Sequence, residues 1–176
     1  MKEYKIERFE AYIEIDELME NYFDYEITHA KCRECPGYRG TWACPELDFD
    51  PAEFVSGFRR LRLIVDRVDN SGTASPKEAQ NRLFGLIRDF DRNMRELESL
   101  LPGACALAAQ ECMECDPCLR TRGLPCIHPD RKRYGPEAIG ILASKLVPEK
   151  LGFSILWSDG QSIPEYYLLV GGILEK

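Results

Sequence analysis

The sequence predicts an α/β (α+β) sandwich, in which helices cover a small mixed β-sheet and two cysteine-rich loops leave it. Short apolar runs typical of strands alternate with segments of helical periodicity. Capping signals precede several of the helical segments. Seven of the eight cysteines lie in two windows, residues 32–44 and 112–126. A chain of 176 residues usually buries one core, so we expect residues 1–176 to form a single domain.

The first elements are indicated by their caps and by their apolar content. In DPAEFVSGFRR, Asp50 is an N-cap, Pro51 is the first helical residue and Glu53 can complete a capping box, which predicts a short helix. The segment LRLIVDRV, residues 61–68, predicts a strand because it is rich in Leu, Ile and Val and is followed by the turn DNSGTASP.

The second half of the chain predicts the longest helix, a buried strand, a further helix and a closing strand pair. A capping box, SPKE, begins the long helix, which should close near Pro102. Its apolar residues recur at three- and four-residue steps: Leu83, Leu86, Ile87, Phe90, Met94, Leu97 and Leu101. The run ACALAAQ predicts the buried strand, and Pro136 can begin a helix in GPEAIGILASKLV. FSILW and YYLLVGGILE predict two strands around the polar turn SDGQSIPE.

Charge and hydropathy exclude several classes of partner. A formal net charge of -7 argues against nucleic-acid binding, which needs an excess of Lys and Arg on one face. The N-terminal residues contain no apolar region typical of a secretory signal, and the longest apolar run, YYLLVGGIL, is too short to span a bilayer. We therefore expect a cytoplasmic protein without a membrane partner. Clustered cysteines in the reduced cytosol are more often metal ligands than disulfides.

The second cysteine window has the spacing of an iron-sulfur ligand set. Cys112, Cys115 and Cys118 form C-x2-C-x2-C, and Cys126 can provide the fourth thiolate. Equal three-residue steps suit a 4Fe-4S cluster, whose separate irons each take one thiolate. A single zinc ion more commonly binds two C-x2-C pairs that are far apart in sequence, so zinc is the alternative.

Basic residues around this window favour an anionic cluster. Positive charge stabilises thiolates and raises a reduction potential. A solvated basic loop is the simpler explanation for each of these residues. The bases are Arg120, Arg122, Arg131, Lys132 and Arg133, and the acids of the same region are Glu114, Asp116 and Asp130.

The first window supplies three cysteines and leaves the fourth ligand open. Cys32, Cys35 and Cys44 could bind zinc together with His29, which precedes Cys32 by three residues, or hold a second cluster. A lone histidine is more often an ordinary surface or core residue. Cys105 could reach this site in space, but in an apolar strand a free cysteine usually behaves as a small hydrophobe, and we expect it to pack in the core.

Three side chains are candidates for a role around the metals. Trp42 and Tyr38 could shield a metal of the first window from water, or could simply pack on the sheet. His128 could donate a hydrogen bond to a cluster sulfur or to a carboxylate, or could be solvated.

Taken together, these motifs resemble a predicted metal-binding family of unknown function. Its members carry C-x2-C, then Y-x3-W-x-C-P, then C-x2-C-x2-C and C-x-H-P, and the chain matches with CRECPGYRGTWACP and CMECDPCLRTRGLPCIHP. The resemblance extends from Cys32 to the C-terminal strands. It implies a metal-binding domain and no particular activity. Gly135 and Pro136 stand where members usually have Ser and Met.

Three functions are compatible with these windows. The first is an iron-sulfur protein with one or two 4Fe-4S clusters, which transfers electrons to a redox partner protein or serves a larger enzyme. The second is a zinc-stabilised interaction module. The third is an enzyme with an open cluster iron, and the three-cysteine window permits it. The sequence contains no P-loop, dinucleotide-binding glycine pattern or nucleophile elbow, so whether the chain is an enzyme stays undecided.

Overall fold

The computed structural model describes residues 5–157 and 161–176, which are built around a four-stranded sheet of order β1-β2-β4-β3. The strands are β1 (Ile6–Glu14), β2 (Arg60–Asp69), β3 (Cys105–Leu107) and β4 (Tyr166–Glu175). All three neighbouring pairs are antiparallel. The predicted α+β class is confirmed. The sheet was expected to be mixed, but β4 inserts between β2 and β3 and runs opposite to both, so these four strands contain no parallel pair.

Helices connect and cover these strands. The α-helices are α1 (Ile15–Asn21), α2 (Tyr25–Glu34), α3 (Pro51–Ser56), α4 (Pro76–Ser99) and α5 (Ala143–Leu151). Two 3₁₀ helices are η1 (Leu119–Arg122) and η2 (Glu137–Ile139). Within the described ranges, no helix is both long enough and apolar enough to cross a membrane.

The sheet has a hydrophobic core on each face. Leu61, Leu63 and Val65 of β2 pack in a cluster with residues of α1, α3 and α5. Ile64 and Val68 project from the opposite face into a cluster with α4. Alternate residues of a strand point to opposite faces, so burial on both sides explains why β2 reads as a nearly continuous apolar run.

The predicted caps of α3 and α4 and the predicted strand at residues 61–68 are confirmed. The Asp50 carboxylate accepts hydrogen bonds from the N–H groups of Ala52 and Glu53 at 2.8 and 3.0 Å, at the start of α3. The Ser75 hydroxyl accepts from the Glu78 N–H at 3.2 Å, at the start of α4. These bonds satisfy N–H groups that have no partner within the helix. The predicted strand at residues 61–68 is β2.

The segment FSILW does not form the predicted strand. Its Phe153 ring packs against Phe9 of β1, with the ring centroids 4.6 Å apart. The Tyr166 hydroxyl donates to the Ser154 carbonyl at 2.9 Å. Phe153 and Ile155 therefore pack against the core instead of extending the hydrogen-bonded ladder of the sheet, whereas Trp157 is exposed. Of the polar turn predicted after it, residues 158–160 lie outside the described residues.

The helix predicted from Pro136 is divided into two pieces. Gly140 has a φ of 94°, in the left-handed region, and separates η2 from α5. A residue in that conformation cannot continue a right-handed helix. The break matters for the site because it leaves η2 as a separate short turn that packs against α2.

Candidate metal centre

The cysteines of the first window lie at the end of α2 and in the turns that follow it. Cys32 is in the last turn of α2, and Cys35 is the residue that caps it. The Gly37 N–H donates to the Cys35 Sγ at 3.4 Å. The Cys44 N–H donates to the Thr41 carbonyl at 3.1 Å. The turns bring Cys44 back towards the end of α2.

The thiols of this window are close enough to affect one another. Burial and, in decreasing order, the negative charges of Glu137, Cys44 and Cys35 together raise the pKa of Cys32 to about 11. A cation among these groups would have the opposite effect, because it stabilises the thiolates.

The four cysteines of the second window lie on an irregular loop between β3 and η2. Burial raises the pKa values of Cys112 and Cys115, and the charges of Cys118 and Cys126 contribute to both shifts. The Glu114 N–H donates to the Cys112 sulfur and acts in the other direction. Cys118 is the N-cap of η1. The four thiols therefore lie on one loop and are near enough for their charges to affect one another.

The two windows are joined by the side chain of Arg120. Its guanidinium donates to the carbonyls of Thr41 at 2.7 Å, Cys44 at 2.6 Å and Glu46 at 3.1 Å. Its Cζ lies 5.2 Å from the ring centroid of Trp42. These contacts join η1, the short helix that contains Arg120, to the turns of the first window. Both windows consequently form one surface.

Trp42 makes a second contact between the windows. Its indole Nε1 donates to the Leu124 carbonyl at 2.9 Å. Trp42 therefore lies between the windows, where it packs under the guanidinium of Arg120. Tyr38, its predicted companion, contacts His29 instead.

Most of the basic residues near the second window have acidic or aromatic partners. Glu114, between Cys112 and Cys115, pairs with Arg131 at 2.7 Å and with Arg95 of α4 at 3.1 Å. Elsewhere in this loop, Arg133 binds both carboxylate oxygens of Glu98, Lys132 lies over the Tyr134 ring, and Arg122 is exposed. These basic residues thus help to hold the loop together, and among them Arg131 also acts on the Cys115 thiol.

His29 is buried, and both of its ring nitrogens have partners. Nε2 lies 3.2 Å from the Tyr38 hydroxyl, and Nδ1 lies 3.5 Å from the Arg33 guanidinium. The ring stacks on Tyr25 with the centroids 5.2 Å apart. A guanidinium only donates, so Nδ1 accepts and Nε2 carries the proton that faces Tyr38.

The other two predicted residues lie apart from these contacts. Cys105 is in β3 and packs against the core, where burial raises its pKa to about 11. The backbone carbonyl of His128 accepts from the N–H groups of Arg131 and Lys132, both at 3.0 Å. His128 thus helps to turn the loop through its main chain.

The two groups of cysteines fit a metal by residue type. All eight cysteines are free thiols, and thiolates are the ligands of iron-sulfur clusters and of structural zinc. Across residues 5–157 and 161–176, no three His, Cys, Asp or Glu side chains already stand in a ligating arrangement. The residues that would hold a metal are Cys32, Cys35 and Cys44 in one window and Cys112, Cys115, Cys118 and Cys126 in the other.

Sequence patterns did not indicate the interactions that three residues make at this site. Glu137 is far from Cys32 in the chain, and no spacing rule relates them. Arg120 was one of five bases expected either to stabilise an anionic cluster or to be solvated, and Glu114 was one of the acids of the same region. The fold brings these residues to the cysteines through long-range contacts, which local spacing does not encode.

Comparison with known proteins agrees with the cysteine pattern. The model of the family described as "Predicted metal-binding protein (DUF2284)" matches residues 20–174. No curated protein and no solved structure matches the chain.

Proposed function

Because the chain belongs to the predicted metal-binding family DUF2284, we propose that it is an iron-sulfur protein that transfers electrons, alone or as an accessory to a larger enzyme. The observation that carries this proposal is the contact between the two windows through Arg120. Two metal groups held on one surface can exchange electrons with each other and with a docked partner. Proximity between two zinc sites could not serve electron transfer, because zinc undergoes no redox change.

The chain's own residues would set the properties of the clusters. A 4Fe-4S cluster supplies one-electron chemistry when bound. Cys112, Cys115, Cys118 and Cys126 would provide its thiolates in the second window. N–H groups that donate to the sulfurs of Cys35 and Cys112 stabilise negative charge there. The positive charge of Arg120 between the windows favours the reduced state of either cluster.

The proposal includes a redox partner protein and a cytosolic location. Reduced thiols persist in the cytosol, and both windows depend on them. A zinc-stabilised module and an enzyme with an open cluster iron are the alternatives. Metal analysis and paramagnetic resonance distinguish these three functions.

The test is anaerobic purification followed by iron, acid-labile sulfide and zinc analysis. We expect brown protein with iron and sulfide, and we expect each single Cys→Ser change at Cys112, Cys115, Cys118 or Cys126 to remove most of the second-window cluster. Colourless protein that holds only zinc after attempted reconstitution would contradict electron transfer and favour the zinc module. Cyanide or a small anion that alters the resonance of one reduced cluster would favour the enzyme.

A further inference from the structure

Strand β1 forms an open edge of the sheet. Among the described residues it pairs with β2 alone, so no neighbouring strand lies on its outer side. The Asp69 N–H donates to the Lys5 carbonyl at 3.0 Å, and the Ile15 N–H donates to the Arg59 carbonyl at 2.8 Å, at the two ends of this pairing. In an antiparallel pair, every second residue bonds the neighbouring strand. Odd-numbered residues of β1 therefore bond β2, and the backbone N–H and C=O groups of the even-numbered residues point outwards.

The same even-numbered residues carry exposed side chains on one face of this edge. Helix α4 covers that face over β3 and β4, whereas Ile6, Arg8, Glu10 and Tyr12 of β1 are exposed. Ile6 is 44% exposed and Tyr12 is 53% exposed, although the Arg60 guanidinium lies 4.6 Å from the Tyr12 ring centroid. A strand edge with outward backbone groups and exposed apolar side chains can pair with a further strand.

The order of these side chains is self-complementary. Suppose that two β1 strands pair antiparallel about a two-fold axis at Phe9. Arg8 of each copy then lies opposite Glu10 of the other, and Ile6 lies opposite Tyr12. All of these residues have outward backbone groups, so each opposed pair can exchange two hydrogen bonds. Opposite charges and apolar side chains that face each other across two strands stabilise the pairing.

The charges of the edge select this register. An axis at Arg8 would place two arginines opposite each other, and an axis at Glu10 would place two glutamates opposite each other, which destabilises a strand pair. Within one copy, Arg8 binds both carboxylate oxygens of Asp66, and Glu10 accepts from Arg62. With the axis at Phe9, acids and bases therefore alternate from strand to strand across the junction. Charges that discourage pairing with an unrelated strand permit pairing with a second copy.

We propose that the protein forms a symmetric dimer through β1, in which the two four-stranded sheets join edge to edge. The partner is a second copy of the chain, and each copy contributes the same surface, as a two-fold interface requires. One pair of edge strands buries less area than a standard interface, so we expect a dissociation constant of about 1–100 μM. The dimer requires no metal at either window, so it can be tested whatever the outcome for the proposed function.

The experiment is analytical ultracentrifugation of the full chain at concentrations below and above this range, with reductant present to exclude disulfide-linked dimers. Arg8→Glu places a second acid opposite Glu10, and Glu10→Arg places a second base opposite Arg8. We expect each variant alone to dimerise about 30-fold more weakly or worse, because two attractive pairs become repulsive. An equimolar mixture of the two variants restores opposite charges at both pairs. It should therefore form a heterodimer with an affinity near that of the parent.

Arg88→Glu is the matched control, because it makes the same change of charge at an exposed residue of α4. It should dimerise like the parent, and circular dichroism checks the folding of every variant. A parent that stays monomeric at all concentrations, or a mixture of folded variants that does not associate, would overturn the proposal. Dimerisation of Arg8→Glu or Glu10→Arg as strong as that of the parent would overturn it too. Equal weakening in Arg88→Glu would do the same, because it would indicate a general effect of net charge.

Amide hydrogen exchange of the parent locates the interface without any substitution. In the dimer, the N–H groups of Arg8, Glu10 and Tyr12 bond the second copy, so their exchange should slow as the protein concentration rises. The N–H groups of Phe9 and Ala11 bond β2 in both states and should not change. A dimer whose outward amides exchange independently of concentration would place the interface elsewhere and refute the proposal. This measurement decides the matter even if Arg8→Glu, which loses the contact with Asp66, does not fold.

Discussion

Arg120→Met tests whether the contact between the windows is energetically significant. The change removes a charged donor from three carbonyls and a cation from above Trp42. Hydrogen bonds of charged groups contribute about 1.5–3 kcal/mol each, and water can replace the exposed bond to Glu46. Two part-buried bonds remain, and the loss of the cation–π contact adds about 0.5–1 kcal/mol. Both part-buried bonds come from the same nitrogen, Nη1, so their losses are not additive. Counting one bond together with the cation–π contact, we expect the free energy of local opening to fall by about 2–4 kcal/mol.

Amide hydrogen exchange measures this opening directly. A fall of about 2–4 kcal/mol corresponds to exchange about 30- to 900-fold faster. The acceleration should appear in residues 41–46 of the metal-free protein, where the Cys44 N–H is bonded to the Thr41 carbonyl. Amides of β2 should be unaffected. Arg122→Met is the matched control, because Arg122 is exposed on the same short helix. Unchanged exchange at residues 41–46 in Arg120→Met, or an equal increase in Arg122→Met, would refute the reasoning.

Two further predictions concern residues outside the windows. Cys105→Ser should leave iron and sulfide content unchanged, because Cys105 packs against the core in β3; equal loss of cluster would make Cys105 a ligand. Burial raises the pKa of Asp91 to about 6 from an ordinary 3.8. The folded chain then binds more protons than the unfolded chain between about pH 4 and 6, so the free energy of unfolding should fall as pH rises through this range, by at most about 1.4 kcal/mol per pH unit. Asp91→Asn should flatten this part of the curve for the metal-free protein, and parallel curves for the two proteins would contradict the assignment.

The sequence was most informative where a pattern is long or local. Helix α4 repeats its apolar spacing over many turns and has a clear cap, and β2 is apolar on both faces, so both were predictable. The second window was predictable as a group because its four cysteines lie within fifteen residues. Steps of three residues along one loop keep their side chains near one another.

Where long-range contacts decide the structure, the sequence was less informative. The left-handed conformation of Gly140 depends on how η2 meets Phe23, and a helical pattern runs across it without interruption. Similarly, the apolar residues of FSILW are compatible with a strand and with an irregular segment that packs over the sheet. Neither the alternation nor the composition of that segment records that Phe153 meets Phe9. The contacts of Arg120 are invisible in sequence for the same reason.

The position of β4 in the sheet has a consequence for biosynthesis. It lies between β2 and β3, yet it follows both cysteine windows in the chain. During synthesis, all seven window thiols leave the ribosome before the strand that completes the sheet. The sheet therefore closes only after these thiols have left the ribosome. These thiols are consequently accessible to metal before the sheet is complete, and a truncation before β4 would leave β3 without a neighbouring strand in the sheet.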